Sequence, residues 1–338
     1  MPHALAIHGG PDAQGVPLHD FSTNANACGP CPEVLAAVQQ ADATRYPDPA
    51  YTALREALGA FHAVAPGRIA LAASASEAIH RFSQLAALQG VRRVRVPRHG
   101  YGDYAQAAQA RGLAVVHDAA APAGLQWACE PASPLGGVDL QRADWLLAPE
   151  AGALRVLDCA YAPLRLDGTP WPAAAPGVWQ LWTPNKALGL TGVRAAYTLA
   201  PDAEAAGRFA ALAPSWPVGA HGVALLAAWQ QASVQRWLAE CLPQLRTWKA
   251  RQQALCTTLG WQELPGSTAN FFCARPPQAH LPQRLAALRA AGIKLRECSS
   301  FGLPGVLRLG VLPPPAQDAL QAAWRAACSA HPSMENMQ

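Results

Sequence analysis

From Ile69 to Tyr197 the chain alternates short apolar runs with amphipathic stretches, and that rhythm limits the available folds more tightly than any single motif. The runs at 69–73, 94–97, 114–117, 125–128, 154–158, 179–182 and 195–199 have the length of strands, and their near-continuous apolar character is that of strands buried on both faces. The segments 77–89 and 103–112 have helical periodicity with glycine near each end. Parallel strands need long crossovers, which helices supply. The predicted fold class is therefore α/β, with a mostly parallel seven-stranded sheet held between helices.

After residue 202 the texture changes. A helical pattern broken at Pro214 and Pro217 runs from 219 to 259 and predicts a connecting helix. Strand-like runs at 270–274, 294–298 and 307–311, flanked by helical 281–291 and 316–329, predict a smaller α+β domain. The expected division is a large domain over 40–235 and a small one built from 1–39 and 236–338.

Composition removes several function classes. Hydrophobic residues are 51% and charged residues 14% of 338 positions, so the chain can bury a large core and is not disordered. No apolar run is long enough to cross a bilayer, and residues 1–8 lack a basic leader followed by an apolar core, so a cytoplasmic protein without a membrane partner is expected. Net charge is +4, but beyond Arg92-Arg93-Val94-Arg95 the 26 Lys and Arg are scattered; nucleic acid is not an expected partner, nor is a metal expected. Nine cysteines at irregular spacings fit free thiols in a reducing compartment. Cys28-Gly29-Pro30-Cys31 spells a dithiol redox motif, yet a turn-rich connection precedes it where a redox module needs a strand.

The chemistry concentrates where strands end. In Thr183-Pro184-Asn185-Lys186-Ala187-Leu188-Gly189-Leu190-Thr191-Gly192-Val193-Arg194, a primary amine is followed by two glycines and an arginine. Lys186 can condense with an aldehyde, the glycines let backbone approach a ligand, and Arg194 can fork onto a phosphate; pyridoxal 5′-phosphate carries both groups. A surface lysine in a glycine loop would have the same spelling. Asp158, closing the run 154–158, can hold a pyridinium nitrogen or simply cap a turn, and Tyr161 can reach the ring's 3′-oxygen. At Ser74-Ala75-Ser76-Glu77 a strand hands over to a helix, so the Ala75 and Ser76 amides and the Ser76 hydroxyl can hold phosphate. Tyr101 follows the next strand and can stack on the ring. All of these lie at strand C-termini, the edge where parallel sheets bind ligands.

With those residues in view, the chain resembles the fold-type I pyridoxal-phosphate enzymes, the aspartate aminotransferase superfamily. Within it, the likeness is to the branch of histidinol-phosphate aminotransferases and threonine-phosphate decarboxylases, and it covers nearly the full length. The family's S-x-S/T-K-x-x-G-L-x-G-x-R is matched from Thr183 to Arg194, its D-E-A-Y by Asp158-Cys159-Ala160-Tyr161, and its R-Y-P-D by Arg45-Tyr46-Pro47-Asp48. Its P-x-Y-x-x-Y is matched from His99 to Tyr104, with His99 in place of proline. The resemblance implies that Lys186 is the Schiff-base lysine, that Arg194 grips the phosphate, and that Tyr46 reaches the cofactor of the neighbouring subunit in a homodimer.

Departures from the pattern are specific. N-P-x-N-P-T-G appears as Glu130-Pro131-Ala132-Ser133-Pro134-Leu135-Gly136, so Ser133 stands where an asparagine bonds the 3′-oxygen. Asn185 replaces a hydroxyl residue that touches phosphate, a loss Thr183 can cover. For the substrate, Arg308 matches the arginine that holds a carboxylate and Arg296 the one that meets a substrate phosphate. The leader His8-Gly9-Gly10, followed by Asp20-Phe21-Ser22-Thr23-Asn24-Ala25-Asn26, is similar to the decarboxylases' H-G-G-(x)n-D-F-S-x-N-x-N-P and places His8 and Asn24 on the substrate, although Ala27 replaces the proline. The implied activity is decarboxylation of L-threonine O-3-phosphate to (R)-1-aminopropan-2-yl phosphate, a step of cobalamin biosynthesis. The alternative is a class I/II aminotransferase acting on histidinol phosphate or a related amino acid.

Overall fold

The computed structural model describes residues 9–147, 152–171 and 176–330. After the short strand β1 (His19–Asp20), seven strands build the main sheet: β2 (Ile69–Ala72), β3 (Arg93–Arg95), β4 (Ala114–Val116), β5 (Leu125–Cys129), β6 (Leu154–Asp158), β7 (Val178–Trp182) and β8 (Ala196–Leu199). Their order is β2-β8-β7-β6-β5-β3-β4, and only β8 runs against its neighbours. All seven strands expected from the apolar runs are present; two-sided burial accounts for β2, β5, β6, β7 and β8, whereas β3 and β4, at one end of the sheet, are partly exposed.

Helices cover both faces. On one, Ala75–Leu88, Gly102–Gln109 and Ala203–Ala210 close over a core in which Phe82 meets Trp127, Trp179 and Phe209 at ring-centroid distances of 5.6, 5.0 and 4.4 Å. On the other, Pro32–Gln39, Thr52–His62 and Ala220–Trp229 pack around Leu58, Leu71, Tyr197 and Trp229. Pro32–Gln39 contributes Val34 and Val38 to this large-sheet core, since its apolar face meets Ala220–Trp229.

The helical pattern 219–259 forms two helices, Ala220–Trp229 and Ala232–Thr258, separated where Gln231 turns extended at ψ 138°. Neither glycine nor proline marks that break. Pro243 lies inside the second helix without ending it, although it removes one backbone donor.

The C-terminal strands β9 (Gln262–Leu264), β10 (Phe271–Arg275), β11 (Ile293–Lys294), β12 (Arg296–Glu297) and β13 (Leu307–Gly310) form a second architecture. An antiparallel sheet of order β12-β13-β10-β9 packs beneath Leu281–Ala290 and Pro314–Ala330, around Phe272, Leu309, Trp261 and Trp324. The single strand expected at 294–298 is divided at Leu295: β11 pairs with β1 in a parallel two-stranded sheet, while β12 pairs with β13. Among the described residues no helix is long and apolar enough to cross a membrane.

Candidate active site

The strands β2, β3, β5, β6 and β7 end on the same edge of the main sheet, and β12 and β13 face that edge from the small one. Between them lies a cleft of about 1110 Å³. Ala75, Ser76, Tyr101, Ser133, Asp158, Tyr161, Thr183, Lys186 and Arg194 line it from the large sheet, with Asn24, Arg296 and Arg308 opposite.

Asp158 closes β6 and is almost fully buried. Its Oδ1 accepts the Ala160 N–H at 2.9 Å and its Oδ2 accepts the Tyr104 hydroxyl at 2.6 Å. Burial pushes the Asp158 carboxyl above its ordinary range, while the Tyr104 bond and the charge of Lys186 pull it back. The Lys186 ammonium lies 5.1 Å from the centre of the Tyr161 ring, in cation–π range. The Tyr161 hydroxyl accepts Asn24 Nδ2 at 3.2 Å, and Asn24 Oδ1 is buried with no partner among the described residues.

At the β2 exit, Ser74 caps the helix Ala75–Leu88 by accepting the Glu77 N–H at 3.1 Å, and Glu77 in turn takes the Ala73 N–H at 3.1 Å. This N-cap leaves the Ala75 and Ser76 amides at the mouth of the helix without intrahelical acceptors. Ser76 Oγ sits 3.3 Å from the Tyr101 hydroxyl, whose acidity burial suppresses. Arg194, two residues before β8, is exposed and has no side-chain hydrogen-bond or ion-pair partner among the described residues. Thr183 Oγ1 lies 3.1 Å from Asn185 Oδ1, and Asn185 Nδ2 reaches the Thr191 and Val193 carbonyls at 3.4 Å, so Asn185 braces the loop carrying Lys186.

The glycines of that loop have two separate jobs. Gly189, at φ +69°, lies against Gly29 and Pro30, where an added Cβ would come within 3.0 Å of Pro30 Cα. Its smallness admits a neighbouring backbone and not a ligand, contrary to the expectation for both glycines. Gly192 has nothing within 4 Å of that position and opens onto the cleft.

One N-terminal segment joins the two sheets across the cleft. The Gly310 N–H donates to the Phe21 carbonyl at 2.8 Å and Arg308 Nη2 to the Ser22 carbonyl at 2.8 Å. A few residues on, the Asn26 N–H and Nδ2 donate to the Lys186 and Ala187 carbonyls at 2.9 and 3.0 Å, and the Cys31 N–H to that of Leu188 at 2.9 Å.

Arg296 and Arg308 are paired directly across β12 and β13, both buried, with the Phe301 ring 4.9 and 5.8 Å from their guanidinium carbons. Arg296 Nη2 donates to Ser300 Oγ at 2.7 Å, and Arg308 Nη1 to Ser133 Oγ at 3.4 Å. Burial and the adjacent Arg308 charge lower the Arg296 pKa. Cationic side chains directly opposite one another repel, so the cleft is prepared for an anion.

Not every expected residue lies here. Tyr46 is outside the cleft, 78% exposed and stacked on Trp216 at 4.3 Å. His8 lies outside the described residues, whereas Gly9 and Gly10 line the cleft. Cys28 contacts the Cys241 carbonyl, and burial pushes its thiol up to about 12, the opposite of a redox-active thiolate. Sequence reasoning gave no site place to Tyr104, which the structure sets against Asp158 in the cleft wall, although its position three residues after Tyr101 put it on the same helical turn.

Comparison with known proteins fits this geometry. The profile of the family described as Aminotransferase class I and II matches residues 16–323. The chain belongs to that family. This aminotransferase-family protein is 31% identical to histidinol-phosphate aminotransferase 2 of Thiobacillus denitrificans, the match covering 92% of each chain. It is 30% identical to the histidinol-phosphate aminotransferase of Symbiobacterium thermophilum, over 92% of this chain and 91% of the relative. Among solved structures, histidinol-phosphate aminotransferase from Sinorhizobium meliloti in complex with pyridoxal-5′-phosphate superposes with a TM-score of 0.80 at 24% identity, over 91% of this chain and 90% of that one. L-threonine-O-3-phosphate decarboxylase from Porphyromonas gingivalis does so at 0.78 and 20%, over 91% and 99%. The last two show a shared fold, while the sequence relatives favour the aminotransferase expectation over the decarboxylase one.

Proposed function

We propose that this protein is a pyridoxal-phosphate-dependent aminotransferase for a phosphorylated amino substrate of the histidinol phosphate kind. The carrying observation is the pair Arg296 and Arg308, two buried cations set opposite Lys186 in one cleft. A substrate phosphate offsets their repulsion and meets their planar forks.

The residues fit the cofactor. Asp158 offers a buried carboxylate to a pyridinium nitrogen, and Tyr161 a hydroxyl to the 3′-oxygen, with Ser133 also in the cleft. The Ala75 and Ser76 amides, the Ser76 and Thr183 hydroxyls and Arg194 form a donor set for phosphate. The orphaned Asn24 Oδ1 marks the cleft as one that expects a polar guest. When bound, pyridoxal phosphate supplies an aldehyde for the amine and a ring that accepts electrons from Cα.

Lys186 carries the Cα proton, Asp158 keeps positive charge on the ring side of the cleft, and Tyr101 packs at its wall. The two arginines orient the substrate, and the small sheet excludes water as it meets the large one. Tyr46 serves the second active site of a homodimer, a role that its exposure and its distance from this chain's own cleft support. The division into 40–235 against 1–39 with 236–338 belongs to the same reading. Pairing of β1 with β11 supports it at the N-terminus, and the packing of Pro32–Gln39 on the large core argues for a boundary earlier than residue 39.

Decarboxylation of L-threonine O-3-phosphate is the second reading, favoured by Gly9 and Gly10 of the His8-Gly9-Gly10 leader reaching the cleft. Histidinol phosphate with 2-oxoglutarate, and separately threonine phosphate alone, distinguishes the two. Glutamate formed from the first mixture and abolished by Lys186→Ala is the expected result. Carbon dioxide from threonine phosphate, without amino transfer from either substrate, overturns the aminotransferase reading.

A further inference from the structure

Tyr104 has an arrangement that no role assigned above uses. Its side chain is fully buried, and its hydroxyl donates to Asp158 Oδ2 at 2.6 Å, within the short range of charge-assisted bonds. The ring is stacked on Trp127 at 4.6 Å and 14°, and Trp127 stands on β5 beside β6, the strand that carries Asp158. Tyr101 packs edge-on at 5.8 Å from the other side. The phenol therefore has the Asp158 carboxylate as its charged acceptor, with the Cys129 thiol as a second neighbour, and little freedom to leave it.

This placement follows from the local fold. Tyr101 is the N-cap of the helix Gly102–Gln109 and the Tyr104 N–H donates back to the Tyr101 carbonyl at 3.2 Å, so a single turn sends the first tyrosine to the cleft and brings the second against Asp158. Ala160 N–H and Tyr104 O–H each take one oxygen of the carboxylate. Its plane is thereby fixed, with further acceptor capacity on both oxygens for a donor in the cleft. The other titratable groups around Asp158 are Lys186, Asp103 on the Tyr104 helix, Cys129 opposite it on β5, and Cys159. None of these is shown donating a hydrogen bond to the carboxylate.

We propose that Tyr104 is a positioning residue that holds Asp158 as an oriented, ionised carboxylate facing the cofactor's ring nitrogen. Burial alone favours the neutral acid, which cannot balance a pyridinium; the Tyr104 hydroxyl opposes that tendency without competing for the cleft side. Tyr104 itself stays protonated, because burial and the Asp158 charge both raise its pKa.

The inference rests on the cofactor reading, so binding of pyridoxal phosphate to the wild-type apoprotein is measured first; failure there sinks that reading separately. Tyr104→Phe keeps the stack on Trp127 and removes only the hydroxyl. It is expected to weaken pyridoxal phosphate binding by roughly tenfold or more, the size of one hydrogen bond to a charged group. The same variant should bind 1-deazapyridoxal phosphate, which has carbon in place of the ring nitrogen, as well as wild type does. Equal losses for both compounds would show a merely structural role and overturn the proposal, as would no loss for pyridoxal phosphate. If the phenylalanine variant does not fold, a fluorotyrosine placed at 104 changes the hydroxyl's acidity with little change of shape. Its affinity ratio between the two compounds must then depart from wild type, and an unchanged ratio overturns the proposal.

Discussion

Replacing His62 by glutamine should remove a large part of the acid sensitivity of folding. His62 ends the helix Thr52–His62 with its ring 4.9 Å from Trp182 and 4.8 Å from Phe61, and its Nε2 lies 2.8 Å from the Tyr197 hydroxyl. Trp229 Nε1 already donates to that hydroxyl at 3.1 Å, so Tyr197 is free to donate its own proton to a neutral imidazole. Burial lowers the His62 pKa from 6.5 to about 4. Above pH 6.5 neither the folded nor the unfolded histidine is charged and nothing is lost. Between pH 6.5 and 4 the unfolded chain binds a proton that the folded one refuses, so stability falls as pH falls. The full cost is about 3 kcal/mol, and about 2 kcal/mol of it accrues between pH 7 and pH 5. Glutamine can accept the Tyr197 hydroxyl but does not titrate. Urea unfolding of both proteins in the same cofactor state, at pH 7 and pH 5, should show the wild type losing about 2 kcal/mol more than His62→Gln. Parallel losses would refute the reasoning.

Other consequences are open to direct measurement. Asp12 pairs with Arg289 at 2.7 Å and Lys294 at 3.0 Å and so secures the stretch in which Gly9 and Gly10 line the cleft; Asp12→Ala should raise KM several-fold with kcat nearly unchanged, and added salt should narrow the gap from wild type. Arg308→Lys loses the planar fork that reaches both Ser22 and Ser133, and kcat/KM in steady-state assays should fall about 100-fold. Phe82→Ala empties the centre of the Trp127, Trp179 and Phe209 cluster and should cost roughly 3–5 kcal/mol, read from the urea midpoint.

Which parts of this molecule could be read from its sequence follows the range of the interactions concerned. Most strands of the main sheet were visible because burial on both faces is written locally, as apolar runs such as Leu154-Arg155-Val156-Leu157, and the partly exposed β3 and β4 were visible as short β-branched runs. The change of partner at Leu295 was not, since β1 and β13, which take the two halves, lie far away in the chain. The gap between Ala220–Trp229 and Ala232–Thr258 carries two glutamines, residues that are at ease in a helix, and so left no mark. In the site, Lys186, Asp158 and Tyr101 could be placed because each ends or follows a recognisable strand. The partner of Tyr104 lies 54 residues away, and Gly189 serves a backbone contact with Gly29 and Pro30 that no local pattern announces. Tyr46 could be recognised only by resemblance, its own surroundings being a surface stack on Trp216.

The N-terminal segment that joins the two sheets has a consequence for choice of substrate. It is tied to the arginine-bearing sheet at Phe21 and Ser22 and to the lysine loop at Asn26, so a fixed run of backbone separates the two anchorages. Such a span acts as a gauge. Under the proposed function it would set how far an amine held near Lys186 can stand from an anion held by Arg296 and Arg308, and so sort molecules by the length between their charged ends. Lengthening that run by one residue should alter which chain length fits, and Thr23 and Asn24, which lie within it and line the cleft, would shift with it.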